Sequence, residues 1–148
     1  MSANPNMVNA KQPVVVSIPA EAKIGITGTT NADYHQRVTV KDVTGTTQYV
    51  FQGNGEGKPL TLHGGSDNSR VSLEPITGSR MRTLAINFEH SSEGPTGTFT
   101  DSLALNPTTQ TVHDAGYNVK SMSWEIASED NVDMDYNDAI IRIVADFP

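Results

Sequence analysis

Met122-Ser123-Trp124-Glu125-Ile126-Ala127-Ser128-Glu129-Asp130-Asn131-Val132-Asp133-Met134-Asp135-Tyr136-Asn137-Asp138-Ala139-Ile140 is the stretch that decides the reading of this chain. At its start Met122, Trp124 and Ile126 alternate with polar residues, the period of a strand with one buried face. At its end Ile140 begins a second apolar run that reaches Phe147. Between them, Glu129 to Asp138 places five carboxylates in ten residues, and no Lys or Arg lies between Lys120 and Arg142. Like charges at that density need either protons or cations among them. An all-oxygen donor set selects a hard cation, most often Ca²⁺. The stretch therefore reads as two strands joined by a calcium-binding loop.

The rest of the chain suits such a loop. Its 148 residues fit one domain with a real core. Thr, Ser, Asn and Gly are abundant and heptad-like stripes are few, which favours an all-β domain with many turns. The net charge of −7 argues against nucleic acid, because phosphate binding needs a basic surface. The absence of cysteine excludes disulfides, thiolate metal sites and cysteine nucleophiles. No stretch approaches the apolar length of a membrane span, so no membrane insertion is expected. Met1 to Gln12 is polar and lacks an apolar signal core. The expectation is synthesis in the cytoplasm without a signal peptide, with release to the cell surface or outside by another route left open.

Residues 1–12 read as a flexible tail, and residues 13–148 as one domain. Val14 to Ile18 is a first strand and Lys23 to Thr27 a second. Gly28 to Tyr34 reads as a polar turn. Gln36 to Val43 alternates and pairs with Thr47 to Phe51 across a hairpin turn at Gly45. Residues 52–79 read as loops enclosing strand fragments at Pro59 to Leu62 and Arg70 to Leu73. Thr83 to Phe88 is a strand, 89–97 a loop, and Phe99 to Leu105 a further strand. The sum is an antiparallel β-sandwich of about nine strands, with the calcium-binding loop at one end.

Within the loop, Asp133-Met134-Asp135-Tyr136-Asn137 begins like a calcium helix-loop-helix site. It departs at once: Asp138 stands where Gly is required and Val144 where the closing Glu belongs. The flanks are strands as well. A solvated acidic turn is the common fate of charge runs. The alternate spacing of Asp133, Asp135 and Asn137, with Asp138 adjacent, favours instead oxygens turned towards one point.

Ser128-Glu129-Asp130-x-x-Asp133-x-Asp135-Tyr136-Asn137-Asp138-Ala139 resembles the signature of the calcium-dependent fucose- and mannose-binding bacterial lectins, the fucose-binding lectin II family. Ser17-Ile18-Pro19-Ala20 through Lys23-Ile24-Gly25-Ile26-Thr27 to Asn31 is similar to that family's first strands and asparagine-bearing turn. The resemblance implies two Ca²⁺ bound side by side. It assigns Glu129, Asp133, Asp135 and Asp138 as carboxylate ligands and Asn137 and Asn31 as amide-oxygen ligands. The last ligand would be the terminal carboxylate of a neighbouring subunit, here Pro148, which implies a homodimer or a dimer-based oligomer. Asp130 matches a residue that hydrogen-bonds the sugar, and Ala32-Asp33-Tyr34 the specificity tripeptide. Val132 offers apolar contact, and Asp135 and Asp138 meet sugar hydroxyls as well as metal. Ala32 stands where fucose-preferring members tend to carry Ser, which implies a preference for mannose. The resemblance departs at the end of the chain. The family carries a Trp-Pro pair and a terminal Gly, whereas this chain ends Ala145-Asp146-Phe147-Pro148, and Arg142 interrupts the last strand.

The expected function is thus a lectin that binds mannose- or fucose-containing glycans through calcium. The alternative is a structural or adhesive calcium-stabilised sandwich without monosaccharide binding. An enzyme is not expected. A glycosidase also needs paired carboxylates, but nothing here separates an acid from a nucleophile. His35, His63, His90 and His113 are isolated in sequence and read as surface or loop residues, with no zinc motif among them. Trp124 reads as core.

Overall fold

The computed structural model describes residues 7–8, 13–43, 45, 47–62, 70–78, 80–129 and 138–148. These form β1 (Met7–Val8), β2 (Val14–Ile18), β3 (Lys23–Asp42), β4 (Gln48–Pro59), β5 (Thr61–Leu62), β6 (Arg70–Leu73), β7 (Arg82–Ser91), β8 (Thr100–Asp101), β9 (Leu103–Leu105), β10 (Thr108–His113), β11 (Val119–Glu129) and β12 (Ala139–Asp146). Every pairing is antiparallel, and the sheet curls on itself as a sandwich. There is no helix among the described residues, and so none long and apolar enough to cross a membrane. The all-β sandwich is as the sequence predicts. The extra strands beyond nine are mostly pieces of two or three residues.

Alternation sets the core. In β2, Val14, Val16 and Ile18 point inward while Val15 is exposed. In β12, Ala139, Ile141, Ile143 and Ala145 are buried while Arg142 and Asp146 face out. Trp124 and Ile126 of β11 join the same core. Away from the acidic loop, Arg82 Nη1 donates to Asp42 Oδ2 at 2.7 Å, a pair nine-tenths buried on both sides. Its Nη2 donates to the Glu74 carbonyl.

The long β3 connects the two layers. Its first half pairs with β12 on one edge, from Lys23↔Asp146 to Thr30↔Ala139, and with β6 on the other. Its second half, His35 to Asp42, lies between β7 and β4. The register with β4 shifts between Thr30 and Ala32 and again between Ala32 and Gln36. Such irregularities bend a strand and re-aim its side chains. Gly28 to Tyr34, expected as a turn, is therefore a bent part of a continuous strand. Neighbours on both edges hold it there: Thr29 pairs with Ile140 and Pro59, and Thr30 with Ala139 and Lys58. A Cβ at Gly28 would stand 2.9 Å from methyl groups of Ile141 and Leu60, so both side chains would have to shift to admit one.

Other differences are local. The Gly45 hairpin forms as expected, with Lys41 opposite Gln48. β4 runs on to Pro59, into a segment expected to be loop. The strand expected over Phe99 to Leu105 is interrupted at Ser102, whose N–H donates to the Phe88 carbonyl. β10 is an unexpected strand, exposed throughout and paired, among the described residues, to β11 alone. Most of the expected tail, 1–12, lies outside the described residues. Met7 and Val8 within it pair with Leu105 and Ala104.

Candidate functional site

Three strands bring the candidate residues together. β11 ends at Glu129, β12 begins after Asp138, and Asn31 follows the stretch of β3 that pairs with β12. Ala139 is flanked by Ser128 on one side and Thr30 on the other. The backbone of Asp138 is clamped between the neighbours: its N–H donates to the Ser128 carbonyl at 3.1 Å, and its carbonyl accepts from the Asn31 N–H at 3.1 Å. That carbonyl also accepts the Thr30 hydroxyl at 2.6 Å. The Ser128 hydroxyl donates to the Ala139 carbonyl at 2.8 Å. Thr30 and Ser128 are fully buried, so these hydroxyls fasten both ends of the acidic loop where water does not compete.

Glu129 is 0% exposed and Asp138 3%. Both stand at strand ends, and a buried carboxylate is offset by hydrogen bonds or by a cation, for which its hard oxygens are suited. Asn31 is half-buried, and its Oδ1 accepts the Gly57 N–H at 2.8 Å. This bond orients the Asn31 amide. Glu129, Asp138 and Asn31 are thus brought to one end of the sandwich. Asp130, Val132, Asp133, Asp135 and Asn137 lie outside the described residues. Among the described residues alone, no three acidic or histidine side chains gather as a metal site.

Pro148 stands apart within the chain. It is exposed at the far end of β12, where the Phe147 N–H donates to the Lys120 carbonyl. The 8 residues of β12 span about 26 Å. Pro148 therefore lies too far along the strand to join the same chain's Asp138.

The tripeptide is adjacent to Asn31. Ala32 is buried, Asp33 exposed, and Tyr34 36% exposed. The Tyr34 ring stacks on His90 with centroids 6.1 Å apart and planes inclined by 18°. The Gln36 side chain donates to the Tyr34 carbonyl at 3.1 Å. His90 corrects the sequence reading: it is 9% exposed, within β7, and its Nδ1 lies 2.8 Å from Ser102 Oγ. His35 is also engaged, through Gln52 Oε1 at 2.9 Å and the edge of Phe99. Sequence spacing could not find these contacts, since they join different strands. A shallow depression around Arg142 is lined by Thr27, Gly28, Thr29, Glu125 and Ile140 on the neighbouring strands.

The sequence pattern of the family described as fucose-binding lectin II (PA-IIL) matches residues 16–146. Among curated proteins none matches. Solved structures share the fold. A Chromobacterium violaceum lectin, CV2L, solved with alpha-methyl-fucoside, superposes with a TM-score of 0.58 at 21% identity, over 90% of this chain and 96% of its own. A Ralstonia solanacearum high-affinity mannose-binding lectin gives 0.57 at 23% identity, over 88% and 93%. The C-terminal domain of the Burkholderia cenocepacia lectin BC2L-C gives 0.56 at 20%, over 90% and 95%. With its strand order, its converging loop ends and a family match over nearly its whole length, this chain belongs to the fucose-binding lectin II family.

Proposed function

We propose that this chain is a calcium-dependent lectin, not an enzyme, that binds mannose- and fucose-type sugars and prefers mannose. The observation that carries the reading is the convergence of buried Glu129 and Asp138 with Asn31 at one end of the sandwich. Glu129, Asp133, Asp135, Asp138, Asn31 and Asn137 would hold two Ca²⁺. When bound, calcium supplies coordination positions at which neighbouring sugar hydroxyls replace water. The chain's own part is to orient the oxygens, through the Thr30 and Ser128 hydroxyls and the Gly57 N–H. Asp130 and the exposed Asp33 would hydrogen-bond the sugar, and Val132 and Tyr34 would give it apolar surface. The preference for mannose rests on Ala32, which has no hydroxyl to offer.

The reading includes a partner. By the resemblance to the family, the Pro148 carboxylate, at the other end of β12 from its own chain's Asp138, would complete the site of a second copy, and the binding unit would be at least a dimer.

Asp135→Ala tests the site. Calorimetric titration should give about two Ca²⁺ per parent chain, by oxygen-ligand count, and most of that binding should vanish in the variant together with sugar binding. A variant that binds both as the parent does would show that the site is elsewhere. In an inhibition series, methyl-mannoside should compete better than fucose, and the reverse order would overturn the stated preference. Calcium binding without binding to any glycan would favour a calcium-stabilised structural domain.

A further inference from the structure

Asn31, Asp33 and Tyr34 are the residues of β3 that have no partner in its ladders, and of these Asn31 is held by its N–H on the Asp138 carbonyl. The pairing with β12 stops at Thr30, that with β7 starts at His35, and the register with β4 passes from Ala32 to Gln36. A backbone released from its neighbours needs other contacts to hold a defined shape. Side chains supply them here. Gln36, fully buried, donates its Nε2 to the Tyr34 carbonyl while its Oε1 makes no hydrogen bond. The Tyr34 ring lies nearly parallel to the His90 imidazole at 6.1 Å, within the range of offset stacking.

His90 is well placed to fix that ring. It is buried in β7 opposite Gln36, and its Nδ1 is 2.8 Å from the hydroxyl of Ser102, itself 3% exposed. The Ser102 N–H is anchored on the Phe88 carbonyl at 2.9 Å. The neighbouring residues are also tied. Arg37 lies 3.7 Å from the centre of the Phe99 ring and donates to Glu89 at 3.0 Å. Tyr34 thus rests one face on an immobilised ring and remains partly exposed.

We propose that His90 is a positioning residue for sugar specificity: held by Ser102, it fixes the Tyr34 ring and with it the shape of the Ala32–Tyr34 segment that meets the sugar. The proposal rests on the reading that this segment faces the sugar. His90 itself touches neither sugar nor metal in this role. Its contribution is the ring surface, not its charge.

Two substitutions separate the ring from its hydrogen bond. His90→Gln keeps a polar partner for Ser102 and removes the ring, whereas His90→Phe keeps the ring and removes the bond. Sugar affinity, the ratio of methyl-mannoside to methyl-fucoside affinity, and Ca²⁺ affinity are measured by calorimetry on the whole chain. His90→Gln should weaken sugar binding about two- to tenfold, the range of an aromatic stack, with an altered sugar ratio and calcium binding unchanged. His90→Phe should restore most of the loss. In a Tyr34→Ala background, His90→Gln should have no further effect. Equal sugar binding by His90→Gln and the parent, or full additivity with Tyr34→Ala, would overturn the proposal. If Tyr34→Ala leaves sugar binding intact, the reading of the segment falls and the proposal with it. If Tyr34→Ala weakens binding and His90→Gln does not, the proposal alone falls. In the unsubstituted protein, adding methyl-mannoside should shift the NMR signals of the His90 ring; static signals at saturating sugar would contradict it even if position 90 tolerates no change.

Discussion

The Thr30 hydroxyl donates a 2.6 Å hydrogen bond to the backbone carbonyl of Asp138, joining residues 108 positions apart at the mouth of the acidic loop. The same carbonyl takes the Asn31 N–H, so one peptide oxygen ties the start of β12 to the candidate ligand on β3. Thr30→Val keeps the branched shape and deletes the donor. The backbone bond remains, so the fold should survive with a loss of about 1 kcal/mol, the net worth of one such bond. Calcium affinity should fall several-fold, because Asp138 and Asn31 lose a shared anchor. Unfolding in denaturant and calcium titration check the two effects separately.

Asp42 tests stability apart from function. Arg82 is buried against it at 2.7 Å, far along the chain from the loop ends. Asp42→Ala would leave the guanidinium uncompensated, at a cost of about 3 kcal/mol. For a domain of this size that lowers Tm by roughly 6–12 °C. Sugar affinity measured well below the new Tm should equal that of the parent.

The β10–β11 turn is a second separable element. The Asp114 carboxylate accepts backbone N–H bonds from Asn118 at 3.0 Å and Gly116 at 2.8 Å. The Asn118 bond is the largest cause that holds the Asp114 carboxyl below its ordinary value, and it outweighs the opposing desolvation. A lowered folded-state value means that the stabilisation is present above the ordinary carboxylate value and is lost as pH falls through the lowered one. The turn also holds Tyr117 at φ 64, with the residue 88% exposed. The amide NMR signals of Gly116 and Asn118 should stay constant on acidification until below the ordinary Asp range, then move together. Movement at the ordinary value would contradict this.

The strands that frame the candidate site were legible because alternation is a property of sequence. The strands flanking the acidic loop follow from the alternation of Met122, Trp124 and Ile126 and from the apolar run after Ile140, and the structure pairs them as β11 and β12. Gly28 to Tyr34 was not legible, since polar Thr and Asn residues mimic a turn when the neighbours that pair their backbone are distant in sequence. β10 was hidden because all six residues are exposed and no alternation marks them. His90 was misread for the same reason as Gly28 to Tyr34: its burial depends on Tyr34 and Ser102, which only the folded strands bring to it. The expected ligands in 130–137 lie outside the described residues, so for them the sequence pattern is the whole argument.

The chain terminus makes a separate prediction. A short C-terminal tag would move the terminal charge away from Pro148 and put a peptide group in its place. It should weaken calcium and sugar binding, while an N-terminal tag should not. Proline fixes φ but leaves its carboxylate free to rotate about ψ, so it can still serve as a ligand in place of the family's Gly. Calorimetry and mass in solution on both tagged forms check this. Full binding by a monomer, or indifference to the C-terminal tag, would show that the second copy does not complete the site.

The central claim is that sugar is bound through calcium. It is tested most directly by titrating methyl-mannoside into the protein, first saturated with Ca²⁺ and then after chelation. The account predicts saturable heat with calcium, none after chelation, and full recovery when calcium is restored. Sugar binding that persists in chelator, or no sugar binding by the calcium-saturated chain, would contradict it.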